Sequence, residues 1–91
     1  MVKTIRAKIS GQVQGVFFRK FIKDEADKLE LKGHVRNLDS GEVEVVAEGS
    51  PESVDKMMQL CKKGAPHSVV KDVDIQELNH IGFDDFKTLD I

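Results

Sequence analysis

The sequence predicts one α+β domain of the ferredoxin-like type, a β-α-β-β-α-β sandwich with an antiparallel sheet and two helices on one face. Three observations predict it. The chain has 91 residues, about one domain's worth, and the domain is taken to span residues 1–91. Its apolar periodicity switches cleanly between about 2 and about 3.6. The order of those periods is strand, helix, strand, strand, helix, strand, with a turn signal between the two middle strands.

Each element follows from local pattern. Lys3 to Ser10 alternates, with Ile5, Ala7 and Ile9 on one face, as a half-buried strand does. Gly11 to Val16 reads as a loop. From about Phe17 to Glu30, Phe18, Phe21/Ile22, Ala26 and Leu29 draw one apolar stripe on a helix, and Gly33 reads as its stop. Lys32 to Leu38 is a second strand. Asp39-Ser40-Gly41 signals a hairpin turn, after which Glu42 to Glu48 sets Val43, Val45 and Ala47 against Glu42, Glu44 and Glu48. Those carboxylates read as a solvated face. Ser50-Pro51 supplies an N-cap and a proline at the first helical position. Val54, Met57, Met58 and Cys61 then follow at helical spacing, up to Gly64-Ala65-Pro66. Ser68 to Leu78 is a fourth strand with Val69, Val73 and Ile75 on one face. The tail from Gly82 to Ile91 holds Phe83, Phe86 and Leu89 and has the makings of an edge strand.

Composition excludes several classes. Hydrophobic residues make up 40% and charged residues 33%, a globular balance rather than a disordered one. No apolar run is long enough to span a bilayer, and the start Met1-Val2-Lys3-Thr4-Ile5-Arg6 lacks the apolar core of a signal peptide. Cys61 is the single cysteine. That excludes an internal disulfide and cysteine-rich metal sites, and it fits a reducing, cytoplasmic setting. His34, His67 and His80 have no ligand-like spacing, so no metal and no cofactor are expected. The formal net charge is −2 and there is no Trp or Tyr. Lys3 to Ser10 and Glu42 to Glu48 carry no aromatic, so a stacking RNA-binding sheet is disfavoured. The expectation is a monomer with a small-molecule substrate, and with neither nucleic acid nor membrane as partner.

The segment with chemical content is Gly11-Gln12-Val13-Gln14-Gly15-Val16-Phe17-Phe18-Arg19, which leaves a strand and enters a helix. Two glycines let the backbone curl so that several N–H groups point into one concavity. The positive end of the following helix aims at the same spot. Arg19, in the first helical turn, offers planar donors suited to phosphate oxygens. The segment therefore reads as a cradle for one phosphoryl group, with Gln14, Gly15, Val16, Phe17 and Phe18 as candidate substrate-binding residues. Phe17 and Phe18 are candidate walls for the rest of the substrate, although Phe18 also begins the buried stripe of the helix. No Gly-Lys-Ser/Thr follows, so this is not a nucleotide-binding P-loop. On spacing alone, an ordinary strand-to-helix turn with a surface arginine remains open.

A resemblance sharpens the reading. Gly11-x-Val13-Gln14-Gly15-Val16-x-Phe18-Arg19 resembles the signature of the acylphosphatase family. Gly33-His34-Val35-Arg36-Asn37 is similar to its second signature, and Gly41-Glu42-Val43-Glu44-Val45 with Glu48-Gly49 continues the likeness. Gln12 stands where the family often has a basic residue, and His34 where it often has Trp. The resemblance implies hydrolysis of acyl phosphates to a carboxylate and inorganic phosphate, with Arg19 binding the phosphoryl group and Asn37 positioning the attacking water as the two catalytic residues. The chemistry is undemanding. The leaving carboxylate has a conjugate acid of pKa about 4–5, so it departs without a general acid. Phosphoryl transfer asks mainly for positioning and charge stabilisation. A non-catalytic phosphate-binding module of the same fold is the alternative.

Overall fold

The computed structural model describes residues 1–89; Asp90 and Ile91, the end of the expected tail and of the 1–91 domain, lie outside the described residues. The elements run β1 (Lys3–Gln12), α1 (Val16–Lys28), β2 (Lys32–Asn37), β3 (Val43–Gly49), α2 (Pro51–Lys63), β4 (Val69–Leu78) and β5 (Phe86–Leu89). They build one five-stranded sheet in the order β4-β1-β3-β2-β5. β3 lies between β1 and β2 and is antiparallel to both. β1 and β2 are therefore parallel with a strand between them, the split β-α-β arrangement expected of this order. β5 is the edge strand foreshadowed by the tail, but it joins β2 in parallel.

Apolar alternation decides the inner face. Ile5, Ala7, Ile9, Val35, Val43, Val45 and Ala47 from the strands form one buried cluster with Phe18, Ile22 and Ala26 of α1 and Val54, Met57, Met58 and Cys61 of α2. Both helices thus cover the same face, and Phe86 of β5 joins that cluster. Among the described residues, no helix is long and apolar enough to cross a membrane.

Three local readings need correction. The stop of α1 is not Gly33. The chain leaves the helix through Glu30, which takes a left-handed φ of 57°, while the N–H of Leu31 reaches back to Ala26 at 2.9 Å. Gly33 lies within β2, where a Cβ would fall 1.9 Å from the carbonyl oxygen of Val46; its role is close approach of two strands. In β4 the expected face breaks. Gly11 pairs with Val70 and Ser10 with Asp72, so Lys71 is an extra residue opposite one step of β1. This bulge flips the alternation. Val70 and Val73 pack on the core, whereas Val69, on the far side of the bulge, is 57% exposed; Ile75 keeps the face of Val73, opposite Ala7, but is 39% exposed at the rim of the sheet.

The third correction concerns β3. Glu44 and Glu48 are buried rather than solvated, because the central strand β3 has a strand on either side and groups from those strands and from the β4–β5 connection close over the two carboxylates. Arg6 of β1 (2.6 Å), Arg36 (2.7 Å) and His34 (2.8 Å) of β2 converge on the Glu44 carboxylate. Burial alone would push the Glu44 carboxyl up; the hydrogen bonds from His34, Arg36 and Arg6 outweigh it and hold it near 2. Glu48 accepts from the Thr4 hydroxyl and from the backbone N–H groups of Ile81, Gly82 and Phe83. Its carboxyl is likewise pushed up by burial and more strongly drawn down by those donors, to about 2. Glu48 thereby fixes the connection that leads from β4 to β5.

Candidate active site

The two helix N-termini differ. At α2, Ser50 accepts from the Ser53 N–H at 3.2 Å, and Glu52 adds an acid in the first turn. At α1 the N-cap is Gly15, with no side-chain cap and no acid in the first turn. The first N–H groups of a helix have no intrahelical acceptor, so those of Val16, Phe17 and Phe18 have no acceptor within α1 and no side-chain cap. Gly15 sits at φ 117° and ψ 172° with open space where a Cβ would be. What requires glycine there is the backbone conformation, not crowding. Gly11, by contrast, is no part of the cradle. A Cβ on it would lie 2.1 Å from the carbonyl oxygen of Val69, so it is packed against the β4 bulge.

Three independent contacts bring the candidate residues to one end of the sheet. The Gln14 amide donates to the carbonyls of Leu38 (2.9 Å) and Glu42 (3.2 Å), tying the cradle loop to the hairpin directly after Asn37. Arg19 donates through Nη1 to the Leu89 carbonyl at 3.1 Å. Leu89 in turn lies opposite Arg36, the neighbour of Asn37. Asn37 is half-buried at the end of β2, and its buried Oδ1 has no hydrogen-bond partner among the described residues. A buried acceptor left unsatisfied costs about 1–3 kcal/mol.

The expected side chains divide by role. Gln14 ties its amide nitrogen to the hairpin carbonyls of Leu38 and Glu42 and also lines a groove on the Phe17 side. Phe18 is 3% exposed and belongs to the core, as its position on the buried stripe of α1 dictates, and it also lines the groove beside Phe17. Phe17 is 84% exposed. Beside it lies a groove of about 490 Å³ whose far wall is Ala65, Pro66, His67 and Ser68. A second recess, about 340 Å³, flanks Arg19 with Val16, Lys20, Lys23, Asp24 and Thr88. Sequence reasoning missed two contributors. The Leu89 acceptor is a main-chain group and carries no residue signature. The loop after α2 is legible as a helix stop, but nothing local says that it faces Phe17. Among the described residues, no three of His, Cys, Asp and Glu gather in a metal-holding group.

The chain is thus a ferredoxin-like α+β domain whose first helix starts uncapped on Gly15 with Arg19 in its first turn. Comparison with known proteins narrows the class. The family model described as acylphosphatase matches residues 5–88. An acylphosphatase of Bacillus licheniformis is 47% identical over 79 residues, covering 86% of this chain and 88% of that protein. One from Syntrophus aciditrophicus is 39% identical over 90 residues, covering 98% and 94%. The crystal structure of acylphosphatase from Bacillus subtilis superposes with a TM-score of 0.90 at 38% identity, over 98% of this chain and 99% of that one. The chain belongs to the acylphosphatase family, and its reaction is the hydrolysis of acyl phosphates.

Proposed function

We propose that Arg19 and Asn37 are the catalytic residues of this hydrolysis, and that the N–H groups of Gly15 to Phe18 hold the phosphoryl oxygens. The observation that carries the reading is the buried, unpartnered Oδ1 of Asn37, joined to the cradle through the Gln14 and Leu89 contacts. An amide oxygen accepts and cannot bind a bare anion; it suits a water molecule approaching the phosphorus.

In this mechanism the water oxygen bonds to phosphorus as the bond to the acyl oxygen breaks. The electron pair of that bond leaves on the carboxylate, and the water's proton passes to a phosphate oxygen or to solvent. Arg19 and the amides meet the charge on the equatorial oxygens. No side-chain nucleophile takes part. The reading extends to a single domain that acts as a monomer in the cytoplasm, without metal or cofactor, on a small acyl phosphate and on neither nucleic acid nor membrane. Its cysteine usage and interspersed charge support these points.

The test is phosphate release from acetyl phosphate with excess EDTA present, repeated with added inorganic phosphate. Turnover with competitive inhibition is expected, because product and substrate share the cradle. Binding of phosphate without turnover selects the non-catalytic module, and noncompetitive inhibition removes the shared site.

A further inference from the structure

We propose that Glu48, on the central strand, is a positioning residue for the hydrolysis: by holding the β4–β5 connection it fixes β5, and through the Leu89 carbonyl it sets the orientation of the Arg19 guanidinium. The inference rests on the reading of Arg19 as the phosphoryl-binding residue. To make β5 the chain must cross the sheet. It leaves β4 at Leu78, at one rim, and starts β5 at Phe86, beyond β1, β3 and β2 at the other. Leu78, Thr4, Glu48 and Lys32 stand side by side in the strand pairing. The connection is caught at Glu48, the middle of that row, which is 5% exposed. One carboxylate oxygen accepts from the Thr4 hydroxyl and from the Ile81 N–H at 2.8 Å; the other accepts from the N–H groups of Gly82 at 2.9 Å and Phe83 at 3.2 Å. Three consecutive N–H groups thus wrap one carboxylate, the kind of backbone concavity that elsewhere captures a free anion. Bonds to an ionised acceptor are about twice as strong as neutral ones.

The strand downstream needs this hold. β5 has four residues, and among the described residues it pairs with β2 alone. A short edge strand belongs to the low-stability end of a fold. The hold at Phe83 cuts the slack before β5 from residues 79–85 to Asp84 and Asp85, and a shorter tether docks its end at a lower entropic cost. Phe83 also stands edge-on to the His34 ring of β2, with centroids 5.9 Å apart. From there the register runs on without a break. The Gly33 N–H bonds the Asp85 carbonyl at 2.9 Å, and Leu89 falls opposite Arg36. At that point the Leu89 carbonyl accepts from Arg19 Nη1 at 3.1 Å. A guanidinium fixed at one nitrogen presents its other donors in a set plane, whereas a loosened one gives up rotamer freedom each time a phosphoryl group binds.

Glu48→Gln keeps the shape of the side chain, removes its charge and turns an amide donor towards other donors. The inhibition constant for inorganic phosphate should rise about threefold or more, and kcat/KM for acetyl phosphate should fall by a similar factor, both per folded molecule. Ser50→Ala, which weakens the protein at the α2 cap instead, should leave both within about twofold. A Glu48→Gln variant that melts earlier while both constants stay at wild-type values overturns the proposal and makes Glu48 a purely structural residue. The unmodified chain supplies the second measurement. Coupling between sites is reciprocal, so saturating inorganic phosphate should slow hydrogen exchange at the Gly82 and Phe83 amides severalfold, although neither lies in the cradle. Equal exchange with and without phosphate, in a protein whose Gly15–Phe18 amide signals do shift, overturns the proposal and leaves the cradle standing; this decides even if Glu48→Gln fails to fold. Phosphate that neither inhibits nor shifts the Gly15–Phe18 signals overturns the cradle and the proposal together.

Discussion

Replacing Asn37 by alanine separates binding from chemistry and stability from both. Its Oδ1 makes no hydrogen bond within the described structure, so the substitution breaks no bond at that oxygen and relieves a buried unsatisfied acceptor. The side chain is half-buried at a strand end, where truncation away from the core moves stability by a small amount. The melting temperature should therefore shift by no more than a few degrees. If Oδ1 orients the attacking water, kcat should fall by about 10²–10³, or about 2.7–4 kcal/mol, the scale of one lost polar stabilising group at a reacting centre. The inhibition constant for inorganic phosphate should hardly change, because Arg19 and the helix amides remain. Asn37→Asp should do no better, since it brings a negative charge beside the phosphoryl oxygens. Phosphate release from acetyl phosphate, the phosphate inhibition constant and a thermal melt on one Asn37→Ala preparation supply all three numbers. A folded variant with wild-type kcat would remove Asn37 from the mechanism, and a large fall in melting temperature with kcat per folded molecule intact would make it a pin for the hairpin instead.

Arg19→Ala should cost on the order of 10³–10⁵ in kcat/KM, and Arg19→Lys should recover little because an ammonium cannot hold both the Leu89 carbonyl and a phosphate edge in one plane; a tenth of wild-type activity in the alanine variant would contradict the assignment. Iodoacetamide should leave native activity untouched, since burial pushes the Cys61 thiol up to about 12 and the thiolate is the reactive form; rapid alkylation with loss of turnover would place Cys61 in or beside the site. Glu44 and Glu48 titrate near 2 in the fold against an ordinary 4.5, so their stabilisation is fully present above the ordinary value and is lost as pH falls through it towards 2. Thermal melts should show a steep drop in that window, flattened in Glu48→Gln, and a flat profile from pH 5 to pH 2.5 would refute the buried clusters.

The legible parts of the fold were those that local periodicity controls. Ile5, Ala7 and Ile9 of β1, the α1 stripe of Phe18, Ile22 and Ala26, and the Ser50-Pro51 start of α2 all behave as their spacing predicts. The misread parts depend on neighbours the sequence does not name. Val69 left the core because one extra residue, Lys71, enters β4 opposite β1. Glu44 and Glu48 went inside because β3 is the middle strand and cationic or N–H partners come from β1, β2 and the β4–β5 connection. At the site, the uncapped start of α1 was foreshadowed by the Gly15-Val16 segment. The acceptor for Arg19 was not, because any residue at position 89 presents the same carbonyl.

The extra residue in β4 also bears on how the molecule keeps to itself. β4 is a ten-residue strand at the rim of the sheet, with one side of its backbone unpaired. A long, flat rim of that kind is a template for the strand of another chain. The bulge at Lys71 bends the rim part-way along, so a straight newcomer can follow only one segment of it. Lys71, Asp72, Asp74 and Glu77 then line the rim with exposed charge, and like copies meeting edge to edge would have to bury those charges against one another. The same irregularity that throws Val69 out into water, an apparent loss for the core, thus leaves the β4 rim of the sheet poorly suited to pairing with a further strand.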